Sequence, residues 1–89
     1  MTMTHRFPIG TKFLSSGKNK RECEVVDLYR VLNSENEVVK ISYMCKHEFL
    51  GSEIRHEECD ATIAKGACAL HNVNSVGELR QIIPMMKST

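Results

Sequence analysis

The chain has 89 residues, a hydrophobic fraction of 42%, a charged fraction of 26% and a formal net charge of +1. A chain of this length buries about 60–65% of its unfolded surface, which supports one small core and a single domain over 1–89. The composition excludes wholesale disorder and collagen-like repeats, and no apolar run approaches the roughly 18 residues of a spanning helix, so no membrane partner is expected.

Residues 1–6 are expected to fray. MTMTHRFPIG holds no apolar stretch that could be a signal-peptide core, so the expected location is the cytoplasm, where Cys23, Cys45, Cys59 and Cys68 are free thiols rather than staples. Pro8-Ile9-Gly10 is a turn signal leading into the short strand TKFL. SSGKNKR then reads as an exposed basic loop from Ser15 to Arg21. Residues 23–32, CEVVDLYRVL, are β-branched enough for a strand, and NSENE joins them to VVKISYMCKHEFL in a hairpin, with Asn36 suited to a left-handed turn position. The residues leave the register of that hairpin open.

The next hairpin, CKHEFLGSEIRHEEC, can be written out. With Gly51 and Ser52 as the two loop residues of a type II′ turn, Glu48 faces Arg55, Lys46 faces Glu57, Phe49 faces Ile54 and His47 faces His56. Cys45, His47 and His56 then share the inner face, continuing the stripe Ile41, Tyr43, Cys45, while Cys59 points to the other. The near-palindrome therefore does not close into a Cys2His2 site. No metal or cofactor is expected, and the residual three-ligand alternative is Cys45, His47 and His56.

After Cys59 the alternation stops. DATIAKGACAL reads either as a short helix capped by Asp60 and weakened by Gly66, or as a helical turn entering a last short strand. SVGELRQII is clearer: Ser75 and Glu78 make the S-x-x-E capping box of a helix over 75–83, with Val76, Leu79, Ile82 and Ile83 on one face, Pro84 ending it and MMKST fraying. The fold class is α+β: a small bent antiparallel sheet, or SH3-like partly open barrel, of four to five strands with one C-terminal helix, the β-rich core lying over 7–66.

Catalytic patterns are weak. GTKFLSSGKN fails as a phosphate-binding loop, because six residues separate Gly10 from Gly17 and Asn19 stands where a metal-binding hydroxyl is needed. Cys45 with His47 and Cys68 with His71 are thiol–imidazole pairs without an orienting third group, and Glu57, Glu58 and Asp60 form a solvated cluster. No enzyme is expected. Charge is unevenly spread: residues 1–21 hold Arg6, Lys12, Lys18, Lys20 and Arg21 and no acid, whereas from Glu22 onward the acids outnumber the bases. These five basic residues are the candidate contacts for a partner.

The frame FPIGTKFLSSGKNKRECEVVDLYRVLNSENEVVKISYMCKHEFLG, with the later ATIAKG, resembles small accessory proteins of temperate phages, prophages and plasmids of enterobacteria and their relatives, in its order of IGTKF, basic loop, hairpin and HEF-G turn. The resemblance covers about residues 7–66. It implies a viral or mobile-element protein made in the cytoplasm of a bacterial host, and it assigns no catalytic or ligand residue. Two function classes follow: a module that binds a host or phage protein, with an inhibitor of host defence as one form, and a nucleic-acid-binding small β-barrel using the basic loop 17–21.

Overall fold

A computed structural model describes residues 4–83 of the chain. Four strands, β1 (Lys12–Leu14), β2 (Glu22–Leu32), β3 (Val38–Phe49) and β4 (Ser52–Glu58), are followed by two helices, α1 (Asp60–His71) and α2 (Val76–Ile82). The strands form one antiparallel sheet in the order β1-β2-β3-β4. β1 and β4 stand at opposite edges, so the sheet is open. The chain is an α+β protein, with two helices where the sequence suggested one.

The β2–β3 hairpin turns through Asn33 to Glu37, and Asn36 takes the left-handed conformation expected of it, at φ 62°. Its register is interrupted at Val25/Asp27 and at Val31/Leu32, two bulges that no hydrophobic pattern announces. Beyond the body, Leu28–Leu32 pairs only with β3 and forms a two-stranded ribbon carrying Tyr29, Val31 and Leu32 half-exposed.

The β3–β4 hairpin departs from expectation by two residues. Phe49 pairs with Ser52, Glu48 with Glu53, His47 with Ile54, Lys46 with Arg55 and Cys45 with His56. The loop residues are Leu50 (φ 52°) and Gly51 (φ 80°), both left-handed, as a type I′ turn requires. The opposed charge pairs Glu48–Arg55 and Lys46–Glu57 are thus not formed. The charges meet diagonally or along one strand instead: Lys46–Glu53 at 3.8 Å, Arg55–Glu53 at 2.8 Å and Lys40–Glu57 at 3.6 Å. Exposed pairs contribute too little to set a register, and the turn decides it. Because the slip is two residues, every side chain keeps its expected face.

DATIAKGACAL is a full helix, and Cys59 rather than Asp60 is its N-cap. It ends at left-handed Asn72, whose neighbour Val73 donates to the Cys68 carbonyl at 3.0 Å in a Schellman arrangement. Gly66 does not weaken the helix; it lets it dock. A Cβ there would lie 2.1 Å from the Leu14 carbonyl oxygen, so α1 crosses β1 at a distance only glycine allows. The core beneath is Phe7, Phe13, Cys23, Val25, Tyr43, Cys45, Ile63, Ala67 and Leu79, all fully buried.

The N-terminal segment is packed rather than frayed where it is described. His5 Nε2 lies 2.8 Å from the Ser42 carbonyl, and Arg6 ion-pairs with Asp60. In α2 the Ser75 hydroxyl accepts from the Glu78 amide at 3.3 Å, but the Glu78 carboxylate reaches the Asn74 amide rather than that of Ser75. Of the expected stripe, Leu79 is buried, Val76 and Ile83 are partly buried against the core, and Ile82 is exposed. The expected ends at Pro84 and MMKST lie outside the described residues.

Two substitutions test this packing in chemical or thermal unfolding. Gly66→Ala is expected to destabilise by at least about 2 kcal/mol, because the methyl meets backbone rather than a side chain that could move. Leu79→Ala is expected to cost about 2–5 kcal/mol and Ser75→Ala about 0.5–2 kcal/mol. An unchanged midpoint for Leu79→Ala would mean that α2 does not close the core.

Candidate functional site

The structure divides the expected basic cluster. Arg6 is partly buried and engaged: its guanidinium pairs with Asp60 at the start of α1, 2.8 Å from Nε to Oδ2. Lys12 lies on β1, 3.9 Å from Glu22. Lys18 and Lys20 sit in the exposed loop between β1 and β2, closed by the Ser15 amide donating to the Arg21 carbonyl at 2.9 Å. Arg21 leaves that loop to lie over the Phe49 ring, 4.2 Å from its centroid. The root of the loop and the hairpin tip thus touch.

That tip is apolar where a turn is ordinarily polar. Leu50 is 88% exposed, and Phe49 and Ile54 beside it are about 40% exposed. A side chain with a Cβ in left-handed conformation costs about 1–2 kcal/mol relative to glycine, and an exposed leucine recovers none of it by burial. Asparagine or glycine is the residue such a turn favours.

Behind the tip the inner face turns polar. β2 and β3 cease pairing at Glu24–Lys46, although β2 continues to Glu22 against β1 and β3 to Phe49 against β4. A notch of about 450 Å³ opens between them, bordered by Arg21, Glu22, Cys23, His47 and Glu48 among others. At its inner side Cys23, His47 and His56 bring their ligand atoms within 4.8 Å of one another. The two imidazoles stand edge to face, with centroids 5.0 Å apart. Nδ1 of each is buried and has no hydrogen-bond partner among the described residues. Nε2 of His56 lies 3.3 Å from Glu58. Burial, and then the nearby Glu58 carboxylate, raise the Cys23 thiol above its ordinary pKa, partly offset by Arg21.

The thiol expected beside the two imidazoles was that of Cys45. It is fully buried one row further in, paired with His56 across the strands, and burial followed by Glu58 and Cys23 pushes it up to about 12. Cys23 takes the place beside the notch, and sequence reasoning missed it because its neighbour across the sheet depends on the β2–β3 register. Near the notch that register pairs Glu24 with Lys46 and Val25 with Cys45, so one more step brings Cys23 to His47. Cys68 and His71 lie on α1 and do not join this set.

Matched against protein-family models, curated proteins and solved structures, the chain finds no counterpart in any of the three. Fold and site therefore define the class on their own: a small α+β protein with an open four-stranded meander, an apolar hairpin tip beside a basic loop, and a thiol–imidazole cluster beneath. No helix among the described residues is long and apolar enough to cross a membrane.

The four thiols differ in access and acidity, which gives a chemical test of the geometry. Cys59 is exposed, and hydrogen bonding from Thr62, whose hydroxyl lies 3.2 Å from the sulfur, holds its pKa below that of a free thiol. Cys23 and Cys45 are buried with raised pKa values. Under a maleimide or disulfide reagent, Cys59 is expected to react first, and to keep reacting as pH falls through the range where an ordinary thiol is protonated. Cys23 and Cys45 should label only on unfolding. Mass mapping of the labelled peptides decides it, and early labelling of Cys45 would contradict the strand pairing.

Proposed function

We propose that the protein is a non-enzymatic binding module of a phage or related mobile element, acting in the bacterial cytoplasm on a host or phage protein, with inhibition of a host defence as one specific form. The observation that carries this reading is Leu50. A large apolar side chain held in a strained turn, almost wholly in solvent, is a cost to the free protein that a partner would offset by burying it. Phe49 and Ile54 widen the anchor, Arg21 sets a positive charge beside it, and Lys18 and Lys20 follow in the adjoining exposed loop. The partner fitting this surface is a protein with an apolar recess flanked by carboxylates, which these charges would steer and orient.

A second reading, contact with nucleic acid, is favoured by one arrangement. Lys20 and Lys65 border a cavity of about 270 Å³ together with Ser15, Ser16 and Thr62, a set of donors suited to phosphate oxygens. Against it stand the loss of Arg6 to Asp60 and the pairing of Lys12 with Glu22, which take two of the five expected cations out of a backbone track.

Leu50→Asn separates function from folding, because it relieves the strained turn while deleting the anchor. The variant is expected to gain about 1 kcal/mol of stability and to lose capture of a stoichiometric protein partner from nuclease-treated lysate of lysogenic or infected cells. Lys18→Glu with Lys20→Glu is expected to slow association with that partner and to leave its dissociation nearly unchanged. Undiminished capture by Leu50→Asn would remove the tip from the interface. Salt-sensitive binding to random duplex or single strands, lost in the double lysine variant, would favour the second reading.

A further inference from the structure

We propose that Cys23, His47 and His56 bind one zinc ion, clasping β2, β3 and β4 together at the open end of the sheet. One thiolate and two imidazoles form a donor set that suits zinc, and borderline divalent ions generally, better than magnesium or calcium, which take oxygen ligands. In a tetrahedral zinc site, bond lengths near 2.0–2.3 Å put ligand atoms about 3.3–3.6 Å apart. The three atoms here lie within 4.8 Å of one another, so closure needs a movement of about 1 Å, within reach of side-chain rotation.

The hydrogen bonding points the same way. A buried ring nitrogen without a partner is costly, and two are found among the described residues, Nδ1 of His47 and Nδ1 of His56, on rings whose centroids are 5.0 Å apart. A cation would satisfy both at once. For His56 the opposite nitrogen is already engaged: Glu58 sits 3.3 Å from Nε2. A carboxylate on the far nitrogen of a ligating imidazole fixes its tautomer and raises its basicity, and here it leaves Nδ1 as the metal-facing atom. The notch bordered by Cys23 and His47 has room for a water molecule as fourth ligand.

The position also makes mechanical sense. Backbone pairing joins β3 to β4 throughout this region, but β2 has parted from β3 beyond Glu24–Lys46. A Cys23–zinc–His47 link would bridge the strands where the hydrogen-bond ladder does not. The sequence-based expectation of no metal rested on the remoteness of Cys59, a residue this set does not use. The inference stands on the cluster's own geometry and is independent of the partner proposed for the hairpin tip.

Cobalt is the probe, used on the full chain after treatment with chelator. The expected result is saturation at one equivalent, with visible bands of tetrahedral cobalt and a thiolate-to-cobalt charge-transfer band in the near ultraviolet, all displaced by zinc. Cys23→Ser should abolish the charge-transfer band, and His56→Gln should abolish or greatly weaken binding. Cys45→Ser and Cys59→Ser should retain both. Cys23 is buried, so circular dichroism must show that its variant folds; His56, half-exposed on the edge strand, supplies the test if it does not. Zinc should also raise the thermal midpoint of the parent protein and leave that of His56→Gln unmoved. Absence of the charge-transfer band at excess cobalt would overturn the proposal, as would a band that survives His56→Gln or disappears in Cys59→Ser.

Discussion

The Asp60 carboxylate is the point on which the rest of the architecture depends. One oxygen accepts from the Tyr43 hydroxyl at 2.6 Å and the other from the Arg6 guanidinium, while the same tyrosine oxygen accepts from the Arg6 and Phe7 amides at 3.1 and 3.4 Å. Three remote segments, the N-terminal strand lead-in, the middle of β3 and the first turn of α1, thereby share one network. It is mostly out of water, where charge-assisted bonds are stronger than at a surface. The first-turn position of Asp60 also suits the positive end of α1. With α1 anchored there and pressed onto β1 at Gly66, the helix packs chiefly on β1, touches β3 and covers little of β4.

That lopsided cover accounts for the split character of the inner face. Where α1 and the N-terminal segment lie over the sheet, the inward residues are Phe13, Val25 and Tyr43. Further toward the β3–β4 tip the same strand faces carry the buried Cys23 and the partly buried His47, His56 and Glu58. A small chain has too little apolar surface to bury both halves of a four-stranded sheet. At this polar end the β2–β3 ladder stops at Glu24–Lys46, and groups that can share a ligand would hold those two strands together beyond it.

Much of this was legible from residues alone, and the failures have physical causes. Strand alternation assigned faces correctly along β3 and β4, since a period of two survives a two-residue slip; Cys45, His47 and His56 do share one face. The turn did not survive, because Leu50 in a left-handed position breaks the preference on which the register was built, and charge complementarity between exposed side chains was too weak a guide to correct it. Cys23 escaped notice for a related reason. Its place beside His47 depends on two bulges in β2–β3, and bulges leave no periodic mark. Gly66 was taken as a flaw in a helix when it is a contact, since propensity describes an isolated segment and the Leu14 carbonyl is far away in sequence. Arg6 likewise looked like part of a basic surface until the fold set Asp60 beside it.

The hairpin tip and the thiol–imidazole cluster are close enough in the chain to influence one another. Arg21, which lies over Phe49, is two residues from Cys23; Phe49 is two residues from His47. Any ligand that draws Cys23 toward His47 narrows the notch and restrains both the root of the basic loop and the root of the tip. Ordering those segments in advance lowers the entropic cost of docking them on a partner, and by linkage a partner that orders them strengthens the ligand's hold by the same factor. The strained turn adds the opposite bias, for it makes the free tip less stable than its sequence neighbours would allow and so leaves it responsive to whatever restrains its base.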